Sequence, residues 1–188
     1  MKHFTHPWRP IHATLLAATL ILCFIPKLRA IERQDSAEVT GLLSQAAQEA
    51  AQLSRDADDM ESLLHSDVSW QTHADMLNRI REDVNTLGKT VASLNTTYAS
   101  GSEWQQEAVD RILPLLRELA SNTTAAINHL NANQTRPTTP DYVNYLHENA
   151  ETAHQLADVT SDLVKYAKSR TTLEKMENKL EFPSPQEP

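Results

Sequence analysis

Between Val39 and Leu64 the apolar residues fall at steps of four and three in strict alternation: Val39, Leu43, Ala46, Ala50, Leu53, Ala57, Met60 and Leu64. A mean step of about 3.5 residues keeps one stripe of a helix facing a neighbouring helix, so this segment has to fold against other helices. No strand pattern survives such spacing, because strands repeat every two residues. The alanines at 46, 50 and 57 call for close approach, with larger side chains opposite.

Three more stripes supply them. The second runs Trp70, His73, Leu77, Ile80, Val84, Leu87, Val91, Leu94, Tyr98, with His73 its polar member. The third runs Val109, Ile112, Leu116, Leu119, Thr123, Ala126, Leu130. The fourth, looser, runs Tyr142, Leu146, Asn149, Ala153, Leu156, Thr160, Leu163, Ala167, and Val143, Ala150, Ala157 and Val164 are expected to widen it.

Between the stripes stand helix-ending signals. "HSDVSW" offers Ser66 or Ser69 as a cap for the second helix. "YASGSEWQ" places Gly101 past a helix end and pairs Ser102 with Gln105 in a capping box. "NANQTRPTTPD" gives Thr139 as cap, Pro140 in the first turn and Asp141 against the helix dipole. Pro114 removes one backbone donor inside the third helix and predicts a kink near Asp110. The expected fold is all-α: an antiparallel up-down four-helix bundle over residues 31–180, with helices at about 36–65, 70–98, 103–132 and 140–180. The fourth helix outruns its neighbours, and "FPSPQEP" (within 181–188) reads as a disordered tail.

Residues 1–30 have a different character. A basic start, an apolar run from Ala13 to Ile25, and a short polar stretch ending at Ala30 form the layout of a secretory signal cut after Ala30. The run is short of the ~20 residues a membrane helix needs. Lys27, Arg29 and Arg33 beyond it favour an uncleaved N-terminal anchor as the alternative. "LILC" raises a lipoprotein reading through Cys23, opposed by the bulky Leu22 beside it. The chain is therefore expected to be exported, to the periplasm or extracellular space, or tethered to a membrane by this segment alone.

Without the first thirty residues the chain keeps 13 basic against 25 acidic residues, a net charge of −12. Such a body is repelled by nucleic acid and by anionic lipid. Cys23 is the sole cysteine, so the body has neither a disulfide nor a thiolate nucleophile. Three scattered glycines cannot build a phosphate loop, and HExxH, GxSxG and CxxCH are absent. The sequons at Asn95, Asn122 and Asn133 matter only in a eukaryotic secretory route, and no glycoprotein is inferred from them. Carboxylate pairs such as Asp58–Asp59 and Glu82–Asp83 are expected on solvent faces, and no catalytic residues are assigned.

Two surfaces remain. In an antiparallel bundle His65, His73, His129 and His147 gather at one end, within ~10 Å along the axis, and Met60 and Met76 lie at a similar height. His and Met together suit copper, zinc or a b-type haem. The arrangement resembles periplasmic four-helix b-type cytochromes in architecture alone. Those pair a Met near the chain start with a His near the end, and here no His follows His154. At the other end Leu173, Met176 and Leu180 continue an apolar stripe beyond the reach of the neighbouring helices. That stripe either packs on residues 31–38 or awaits another protein or a second copy. The reading favoured is a non-catalytic protein-interaction module without a cofactor, and the metal or haem carrier is its rival.

Overall fold

A computed structural model describes residues 34–136 and 138–180. The expectations for the leader, for Cys23 and for the tail at 181–188 fall outside these residues. Those described form four helices and no strand: α1 (Ala37–Ser62), α2 (Trp70–Thr96), α3 (Glu103–Ala132) and α4 (Pro140–Lys179). Single 3-10 turns at Leu63–His65 and Tyr98–Ser100 close α1 and α2.

The helix starts follow from local chemistry. Ser36, Ser69 and Thr139 each accept the backbone N–H three residues on, giving α1, α2 and α4 a partner for an otherwise orphaned donor. At α3 the Ser102 N–H donates to Gln105 Oε1 at 3.0 Å, one arm of the capping box. Pro140 occupies the first turn of α4, where a missing N–H costs nothing. Pro114 lies on the exposed side of α3, which continues through it.

Each helix packs mainly on two neighbours: α1 on α2 and α4, and α3 on α2 and α4. The stripes face inward. From Val39 to Met60 every stripe position of α1 is buried, as is every one on α3 from Val109 to Leu130. The α1 alanines 46, 50 and 57 are fully enclosed among larger residues such as Leu87, Ile112 and Leu119 in one core. Large and small side chains thus interdigitate, which is how a bundle reaches interior density. Among the stripe residues Trp70, Tyr98 and Leu163 are only partly buried, and two further positions depart from expectation. Val143 is 38% exposed, because the core face of α4 is already filled at that level by Tyr142 and Leu146. Leu64 is only partly buried, because the 3-10 turn rotates it off the α1 stripe.

Candidate interaction surface

Side chains from the start of α3 and the late part of α4 converge on Asp35, just before α1. Ser102 Oγ and Trp104 Nε1 each donate to its Oδ1 at 2.7 Å, and Arg170 Nε donates to its Oδ2 at 3.3 Å. Directly inside, Gln105 is fully buried and uses its whole amide. Its Oε1 accepts from the Ser36 N–H (2.9 Å) and the Ser102 N–H; its Nε2 donates to the Ser36 carbonyl (2.9 Å) and to Thr40 Oγ1 (3.0 Å). Trp104 meets Tyr166 edge to face, with ring centroids 5.2 Å apart, and the Arg170 guanidinium stands 5.9 Å over the Tyr166 ring. This clamp holds the start of α1, the start of α3 and the late part of α4 together.

Past the clamp α4 runs on without a covering neighbour among the described residues. Residues 171–180 are all exposed, and Leu173, Met176 and Leu180 show 58%, 55% and 62% of their surface. Tyr166, at 46% and itself part of the clamp, begins the same face. An open groove of about 640 Å³ runs between the two segments, lined by Gln34, Asp35, Arg170, Leu173, Glu174 and Glu177. Gln34 and Ala37 border Leu173 across this groove without covering it. Of the segment 31–38 expected to cover the stripe, residues 31–33 lie outside the described residues.

The histidines occupy the opposite end and are engaged separately. His73 is buried on α2, with Nδ1 3.3 Å from the Tyr142 hydroxyl, and burial lowers its pKa. The same burial raises the pKa of Tyr142 well above that of an ordinary phenol. His129 stacks on Tyr142 at 5.7 Å, and its Nε2 lies 2.7 Å from Thr139 Oγ1. On the surface, His147 Nδ1 meets Glu61 Oε1 at 2.9 Å; that bond and the Glu61 charge raise its pKa. His65 is exposed, Met60 is buried in the core and Met76 is partly buried. Among the described residues no group of three or more His, Cys, Asp or Glu side chains is placed to hold a metal ion. The contacts they make are aromatic and acidic: two imidazoles flank one buried phenol, and a third binds a carboxylate.

Midway along the α1–α2 interface lies a feature that the sequence disguises. Asp56 is buried at 4% exposure, and Asp83 is half-buried beside it, not on the solvent face expected of it. Gln52 Nε2 donates to Asp56 Oδ2 at 2.9 Å, and Arg79 approaches Asp56 Oδ1 at 3.9 Å. Burial, then the hydrogen bond and charge of Asp56, push the Asp83 pKa up to about 7, against a smaller opposing pull from Arg79. Asp83 therefore keeps its proton to a far higher pH than an ordinary carboxyl group. Asp56 steps four residues from Gln52 and one from Ala57, a position that the alternating stripe alone assigns to the flank.

No protein-family model matches this chain, and no curated protein and no solved structure matches it significantly. Among the described residues no helix is long and apolar enough to cross a membrane.

Proposed function

We propose that this chain is an exported or membrane-tethered up-down four-helix bundle that acts by binding another protein through the protruding end of α4. One observation carries the reading: three large apolar side chains, each more than half exposed, form one face of a helix that has left its own bundle behind. Contiguous exposed apolar surface of this kind marks interaction sites. An isolated helical segment of ~10 residues is also marginal in water without a partner.

The up-down topology is supported by the cross-helix pairs. His147 meets Glu61, His154 meets Asp58 at 2.8 Å and Arg170 meets Asp35, so residue numbers rise on α4 as they fall on α1. Export is supported by the three-part leader, and the acidic body argues for a protein partner over nucleic acid. The absence of catalytic motifs from the sequence supports binding as the activity.

Truncation after Thr171 tests this. The melting temperature should stay nearly unchanged, because the described residues that are removed, 172–180, are exposed. Capture of a specific native partner should be lost. If stability instead falls by several kcal/mol while capture is unaltered, the end of α4 belongs to the core and the reading fails.

A further inference from the structure

The exposed face of α4 has a repeat of its own. Tyr166, Ser169, Leu173, Met176 and Leu180 step by three and four in alternation. This stripe is offset by one residue from the one that packs inside the bundle at Thr160 and Ala167. Such a repeat is the seam of a two-helix contact, and its natural complement is a helix with the same repeat. The inward stripes of α1, α2 and α3 are already buried in their own core.

We propose, resting on the interaction reading above, that the partner is a second copy of this chain, with the two α4 ends paired antiparallel. Charge sets the direction. One flank of the stripe carries Arg170 and Glu177, and the other carries Thr172 and Lys179. Antiparallel helices bring each flank against its own counterpart, so Arg170 of one copy faces Glu177 of the other, twice by symmetry. Parallel pairing in register would set Lys165 against Arg170, two cations, and Thr172 against Glu177. The antiparallel register that aligns Arg170 with Glu177 also packs Leu173 on Met176 of the second copy, and Leu180 on Ser169. Asp35 fixes Arg170 in place within its own chain, so the charge is presented in a defined position. The overlap spans residues 169–180, ~16 Å of helix, and carries the two bundles away from each other along the common axis.

The patch is small against the ~1,200 Å² buried by stable complexes, so the dimer forms reversibly and dissociates on dilution.

Sedimentation equilibrium on the full chain carrying Cys23→Ser, from micromolar to near-millimolar concentration, should show monomer passing to dimer. Leu173→Glu should weaken that association at least ~10-fold with no change in melting temperature, because Leu173 is exposed within its own chain. Orientation is read by oxidising an equal mixture of Leu173→Cys and Met176→Cys proteins, both in the Cys23→Ser background. Antiparallel pairing gives the mixed 173–176 disulfide in excess, since only that pair comes within bonding reach. Predominant 173–173 and 176–176 disulfides would overturn the antiparallel arrangement. A dimer indifferent to Leu173→Glu would overturn the surface. A chain that stays monomeric throughout would overturn the second copy as partner; the broader interaction reading then still stands if truncation after Thr171 abolishes capture of a different protein.

Discussion

Replacing Asp83 by Asn should make the protein more stable at pH 8 and leave it unchanged near pH 4. Asp83 titrates at about 7 in the folded chain, against its ordinary value of 3.8. A raised carboxyl pKa means that the folded state holds its proton more tightly than the unfolded one. Stability from this group is therefore complete below pH 3.8 and drains away as pH rises to about 7, where the folded state must ionise beside Asp56. A shift of roughly three units at ~1.4 kcal/mol each sets a ceiling of ~4 kcal/mol. Asp83 keeps contact with solvent at the rim of the interface, and screening reduces the expected effect to ~1–2 kcal/mol. Arg79 and Glu82 also act on the group, with opposite signs. The asparagine side chain carries no charge, and its amide can donate to the Asp56 carboxylate at any pH. Urea denaturation of both proteins at half-unit steps from about pH 4 to about pH 8.5 gives the difference curve, in which other titrating groups cancel. A gap opening between about pH 4 and pH 7, and level above that, is expected. Parallel curves across that range would show that Asp83 does not hold its proton into the neutral range, and the account of this interface would be refuted.

Leu87→Asp places an unpaired charge at a site with no exposure and should cost ~3–5 kcal/mol or prevent folding, whereas Glu82→Ala on the outer face should stay within ~0.5 kcal/mol; circular-dichroism melts compare them. Asp35→Ala removes the acceptor shared by Ser102 and Trp104 and should cost ~1–3 kcal/mol, read by thermal melting together with a shift in Trp104 fluorescence. Asn149 is buried at 1% exposure, with neither amide atom hydrogen-bonded among the described residues, so Asn149→Leu should raise the melting temperature; a fall would mean that the amide is already satisfied. Protein from the native host should begin at Ile31, and intact mass decides this against a full-length membrane-bound form or a diacylated Cys23.

The four-helix layout is legible because burial and spacing are linked through a single period. Leu53 and Leu119 are buried for the same reason that they fall on stripes: a step of about 3.5 residues keeps each facing inward. Caps are legible too, since Ser69 and Thr139 act through the residues immediately after them. Contacts between stripes of different helices are not. Gln105 reads as an ordinary capping-box residue, and nothing local reveals that its amide also reaches Ser36, sixty-nine positions earlier. Asp83 sits next to the exposed Glu82 and looks solvated; only the docking of α1 brings Asp56 against it. The histidines illustrate the converse. Helix order and length account for their shared end of the bundle, but axial height carries no information about direction around the helix. His147 turns outward to Glu61 while His73 turns inward to Tyr142.

The buried amide of Gln105 has a consequence for hydrogen exchange. Amides in the first turn of a helix lack intrahelical acceptors and are usually the first to trade their protons with water. Here the N–H groups of Ser36 and Ser102, at the very starts of α1 and α3, both point at one oxygen that has no contact with solvent. Neither can exchange until the two helix starts separate. These two amides should therefore exchange at one common rate, far slower than their counterparts at the start of α2. They report the opening of that end of the bundle as a single cooperative unit.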